Sequence, residues 1–160
     1  MRGRWIACGF ASALGLLLSF SAAAKGPFGS IRVGPWAGGA YTDDQTGAFS
    51  HCGAGASYQH GVLFIVGMDT SGGWSMAFTH DAWRLTPGDS FPIDLTFDGR
   101  AQFRIFAAAR NAKLMTSMLG RNSALVQEMS KAAMMSASVK GTVIQFDLGG
   151  SAQMLPAVAN

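Results

Sequence analysis

The side chains with the widest chemical repertoire crowd one stretch: His51, Cys52, His60 and His80 all fall within residues 51–80. A hydrolase built on such groups needs a nucleophile, an imidazole base and an orienting acid converging on one point. His51 and Cys52 are neighbours, and adjacent residues of a strand point to opposite faces, so they cannot form a dyad. No Gly-x-Ser-x-Gly elbow offers a serine instead. Asp69-Thr70-Ser71-Gly72 approaches the Asp-Thr-Gly of aspartic proteases, but Ser71 stands where that loop requires glycine, and the composition reads as a hairpin turn. Met115, Met118, Met134 and Met135 could offer thioethers to Cu(I). Strand geometry sends the first two to opposite faces, however, and methionine is ordinarily core filler. Asp43 and Asp44 lack the third acid a calcium site would want. Phosphate loops, nucleotide fingerprints, EF-hands and His-Glu-x-x-His helices do not occur. The expectation is a protein without catalytic centre, cofactor or metal, its histidines on the surface or in turns.

The elements that would position these residues are mostly strands. Ile93, Leu95 and Phe97 alternate with polar residues, as do Trp74, Met76 and Phe78, and Ile144, Phe146 and Leu148. The unbroken run Val62–Val66 predicts a central strand buried on both faces. Phe103–Ala109 and Lys113–Leu119 are further strands, joined by a turn at Arg110-Asn111. Trp36–Tyr41 and Ala54–Tyr58, thinned by glycine, read as edge or bulged strands. Turns are marked by Asp43–Gly47, Asp69–Gly73, Thr86–Asp89 and Asp98-Gly99. Asn122 or Ser123 caps an amphipathic helix near 122–134 whose apolar stripe is Leu125, Val126, Met129, Ala132 and Ala133. Ser151 starts a short C-terminal helix, with Pro156 early enough to sacrifice little hydrogen bonding. The fold class is mainly β, a β-rich α+β domain: an antiparallel sandwich or flattened barrel with these two helices and an interior of plain apolar filling. Most of Trp36, Tyr41, Trp74 and Trp83 should be buried, with one or two at a rim.

Arg2 and Arg4 precede an uncharged run, Trp5–Ala24, that closes with Ser21-Ala22-Ala23-Ala24. That is the order of a secretory signal, so residues 1–24 read as a signal peptide and 25–160 as one extracytoplasmic domain, periplasmic or secreted. Retained as an anchor, the same run is long enough to span a bilayer; once cleaved, no membrane span remains. The full chain is 49% hydrophobic and 13% charged, which excludes disorder. After cleavage ten basic residues face nine acidic ones, a balance that supports no nucleic-acid partner. Charge is nevertheless segregated. Residues 41–99 hold seven acids and one base, and residues 100–140 hold seven bases and one acid. Either the basic segment, with Arg100, Arg104, Arg110 and Lys113, meets an anionic envelope surface, or strands of the two halves interleave and their charges pair. Cys52 is then an odd thiol in an oxidising compartment, awaiting an intermolecular partner, buried, or paired with a cysteine beyond the sequence. The apolar ending at Asn160 reads as a chain cut short.

One resemblance follows from these residues. Trp83-x-Leu85-x-x-Gly88 followed by Ile93-Asp94-Leu95-x-x-Asp98, then a helix, Phe146-Asp147-Leu148 and Gly149-Gly150-Ser151, resembles the second half of the invasion-associated locus B proteins of alphaproteobacteria. The pattern also resembles exported rhizobial domains, some of which precede a trypsin-like protease. The resemblance implies a periplasmic or secreted β-rich domain with no catalytic residues to carry over. It lacks the paired cysteines usual in that family and keeps only Cys52. A non-enzymatic accessory or binding module for an unknown protein or envelope component is the leading expectation. The alternatives are a small secreted hydrolase using His51, His60, His80 and nearby aspartates, the N-terminal module of a secreted protease, and an envelope-binding protein using the basic segment.

Overall fold

The computed structural model describes residues 26–160; the expected signal peptide, 1–24, lies outside the described residues. Ten strands follow one another: β1 (Phe28–Val33), β2 (Trp36–Thr42), β3 (Phe49–Ser57), β4 (Leu63–Asp69), β5 (Trp74–Thr79), β6 (Ser90–Phe97), β7 (Ala101–Ala109), β8 (Leu114–Gly120), β9 (Met134–Val139) and β10 (Thr142–Asp147). Helix α1 (Ser123–Lys131) lies between β8 and β9, and α2 (Ser151–Ala159) follows β10. All strands join one antiparallel sheet in the order β1-β2-β3-β4-β5-β8-β7-β6-β9-β10. The sheet folds over, so that Phe146 of β10 meets Phe64 of β4 and Phe78 of β5 at centroid separations of 5.3 and 5.6 Å. This is the β-rich sandwich or flattened barrel expected.

Alternation decides which faces meet. Phe91, Ile93, Leu95 and Phe97 are buried while Pro92 and Asp94 between them are exposed. Asn122 caps α1, its side-chain oxygen accepting from the Leu125 amide at 3.2 Å. Leu125 and Met129 are fully buried. Helix α2 lies over β1–β4 and against α1, burying Met154, Leu155 and Val158. Two long-range bonds fix this cover: Trp36 Nε1 donates to the Gly149 carbonyl (3.0 Å), and Ser151 Oγ donates to the Met129 carbonyl (2.8 Å). Gly150 carries the chain into α2 at φ +83, where a Cβ would stand 3.1 Å from Val33 Cγ1.

Several expectations are corrected. Strands β2 and β3 are interior, since β1 pairs outside β2; the expected bulge is present at Tyr41/Thr42. Their glycines permit close packing, a Cβ on Gly38 falling 1.9 Å from the Gly53 carbonyl oxygen. Strand β4 is central but is not buried on both faces. Val62, Phe64 and Val66 are buried, whereas Leu63 and Ile65 are half-exposed because their cross-strand neighbours include Gly55, which has no side chain to cover them. Helix α1 stops at Lys131 rather than near 134, and Met134–Val139 forms β9. The cause is Asp98, whose carboxylate accepts from the amides of Ala133 and Met134 and pulls that segment into the sheet. Pro156 is sixth of nine residues in α2, so it forfeits a mid-helix bond to the Ala152 carbonyl. Trp36 alone of the four named aromatics is fully buried; Tyr41, Trp74 and Trp83 are half-buried. The interior is also not uniformly filled, a cavity remaining between the leaves.

Candidate functional site

Between the link Asp81–Asp89 and the β9–β10 hairpin the two leaves of the sheet do not close, leaving a cavity of about 300 Å³. Its walls are Val62 and Phe78 on one leaf, Phe91, Ile93, Ala137 and Val139 on the other, with Ile144 and Phe146 from β10. Trp83 and Leu85 of the link stand over it, half-buried. The mouth carries one charged group among the described lining residues, Lys140. Lys140 and Gly141 form a two-residue turn with φ +49 and +82, the left-handed pair that a tight hairpin of this twist demands. That turn aims the Lys140 ammonium across the Phe91 ring, Nζ lying 4.9 Å from its centroid. Chemically, such a site excludes water from an apolar guest and offers it one positive charge.

The residues singled out from the sequence lie elsewhere. His51 stacks on Tyr41 at 5.0 Å and has Nδ1 2.9 Å from Ser50 Oγ, and burial lowers its pKa. His80 hydrogen-bonds through Nε2 to the His60 carbonyl and stacks on Trp83 at 5.9 Å. His60 and His80 are therefore neighbours through a backbone group, and His51 is apart from both. Cys52 is a free, half-buried thiol packed against the core. Asp69 closes the β4–β5 hairpin, one carboxylate oxygen accepting from the Ser71 amide and hydroxyl and the Gly73 amide. Met115 is buried and Met118 is 61% exposed, on opposite faces as the spacing required.

Several of the segregated charges pair, one pair across neighbouring strands. Arg104 on β7 forks onto Asp94 on β6 at 2.6 and 2.9 Å, holding that carboxyl below its usual range. Lys113 reaches Asp81 at 2.9 Å with the same consequence. Arg100 lies 3.6 Å from Asp98, and Arg110 Nε donates to Thr116 Oγ1 at 2.6 Å. The sequence missed the cavity because its walls come from five strands and several connecting segments spread between Val62 and Phe146. Its one readable sign is Lys140-Gly141 between two short apolar runs.

No helix among the described residues is long and apolar enough to cross a membrane. No protein-family model matches the sequence, and no curated protein matches it. Among solved structures, the crystal structure of invasion associated protein B from Bartonella henselae matches with a TM-score of 0.54 at 13% identity, covering 81% of this chain and 94% of that one. At that identity the likeness is one of fold. Of the residues that carried the resemblance in the sequence, Trp83, Leu85, Ile93 and Phe146 line the cavity and Asp98 ties β9 into the sheet. The chain shares its fold with that invasion-associated protein, as the resemblance implied.

Proposed function

We propose that this chain is a non-enzymatic, extracytoplasmic binding module, and that its ligand occupies the cavity beneath Trp83 and Leu85. The observation that carries this reading is a preformed apolar chamber of about 300 Å³, within the size range of small-molecule sites. The charged leader-like start of the sequence supports export. Against the hydrolase alternative stand the separate settings of His51 and His80; against the basic-surface alternative stand the carboxylates beside Arg100, Arg104 and Lys113.

The test uses the uncharged fluorophore N-phenyl-1-naphthylamine with residues 25–160. Saturable one-to-one binding is expected, weakened at least about tenfold by Val139→Trp, which fills the chamber. Val143→Trp, on the opposite and exposed side of the same hairpin, should leave binding unchanged. Absence of saturable binding by a cooperatively melting protein, or equal loss in both variants, overturns the reading.

A further inference from the structure

We infer that the guest of this cavity is a singly anionic, single-chain amphiphile, its chain of about ten carbons inside and its head group on Lys140. The inference rests on the binding reading above and specifies its ligand class. Chamber size sets the chain: about 300 Å³ holds about ten water-sized groups at the ~30 Å³ each occupies in a liquid, and a methylene is of similar bulk.

Charge sets the head group. Lys140 is the one charged residue among the described lining residues, and it has no carboxylate within ion-pair distance among them, its ammonium resting on the Phe91 ring face instead. Arg100, Arg104, Lys113 and Lys131 each already face an acid. The backbone adds an independent argument. At φ +49 a turn of this kind prefers Asn, Asp or Gly, so lysine is a poor choice for the turn and its presence there answers to something other than local folding. An ammonium held over an aromatic face at an apolar mouth is placed for an anion whose remaining atoms lie in the chamber.

The experiment displaces N-phenyl-1-naphthylamine with decanoate, decanol and decyltrimethylammonium, each below its micelle concentration, and with vesicles containing phosphatidylglycerol. Decanoate should compete about fivefold better than decanol, the worth of a partly exposed charge pair, and decyltrimethylammonium should be the weakest. Measured against each variant's own fluorophore affinity, Lys140→Met should bring decanoate down to decanol, and Lys140→Arg should restore the preference. Raising salt should erode the decanoate advantage alone. Equal competition by decanoate and decanol, or a preference that survives Lys140→Met, overturns the head-group assignment while the binding reading stands. Competition by anionic vesicles without competition by free decanoate overturns it too, in favour of a membrane surface. Failure of the fluorophore to bind the unmodified protein overturns the binding reading itself.

Discussion

Two regions of the same sandwich handle their apolar residues in opposite ways. Where α1 and α2 cover the sheet, Trp36, Phe97, Met129, Met135, Leu148 and Met154 are all at most 1% exposed, and the entry to α2 is fixed by two hydrogen bonds to distant parts of the chain. Where no helix lies, between the Asp81–Asp89 link and the β9–β10 hairpin, residues of the same kinds surround empty space. Composition does not separate the regions. The difference is that helices bring side chains into one part of the interior, while a link and a two-residue turn only rim the other. Filling supplies stability in the first region, and its absence supplies a chamber in the second.

The sharpest way to break that comparison is to truncate a tryptophan in each region. Trp36→Ala should cost about 3–5 kcal/mol in denaturant unfolding, and Trp83→Ala, half-buried over the chamber, only about 1–2 kcal/mol. Equal losses would mean that the open region is as tightly packed as the covered one. Next in size, Gly150→Ala should cost about 1–2 kcal/mol, because φ +83 is hostile to an L side chain and Val33 stands in the way of the Cβ.

A smaller effect reports on the seam where β10 meets the segment after β3. There Tyr58 packs on Phe146 and donates its hydroxyl to the Asp147 carbonyl. Tyr58→Phe should cost about 1 kcal/mol. Burial, and then the Asp147 charge, push the Tyr58 phenol up to about 12. Because the folded value is raised, its contribution is complete below the ordinary value of about 10 and is lost as pH rises toward 12. The stability difference between wild type and Tyr58→Phe should shrink through that window.

Smallest of all are two exposed carboxylates. Asp69 is lowered chiefly by the Ser71 hydroxyl, then by the Gly73 and Ser71 amides, and Asp81 chiefly by Lys113. Both contributions are present above the ordinary carboxylate value of about 3.9 and fade as pH falls through the depressed one. In urea unfolding, the effect of Asp81→Asn should vanish at high salt, whereas that of Asp69→Asn should persist, since its partners are hydrogen bonds within a turn rather than an ion pair.

Much of this was legible in the chain, and the reasons it stopped are physical. Strand β6 could be read because burial on one face and solvent on the other enforce alternation from Phe91 to Phe97. The pairing of Arg104 with Asp94 was one of two outcomes the charge segregation allowed. Strand β9 escaped because Met134-Met135-Ser136-Ala137 continues a helical composition, and what ends the helix is a carboxylate far away in sequence. Strand β1 escaped because Phe28-Gly29-Ser30 alternates nothing; its Phe28 is 51% exposed. The chamber is further still from the sequence, since a void has no residue of its own. It exists because Val62, Ile93 and Ile144 belong to leaves that only tertiary structure brings face to face.

The order of the strands has a consequence for how the chain acquires its shape. Seven of the nine ladders join consecutive strands, and only β5–β8 and β6–β9 connect elements separated by others. Hairpins close early and cheaply, whereas bringing Ser75 to Met118 or Leu95 to Ala137 requires long loops to be drawn in first. Refolding should therefore wait on those two zippers. The second begins where Asp98, at the tip of the β6–β7 hairpin, holds the start of β9 against Phe97.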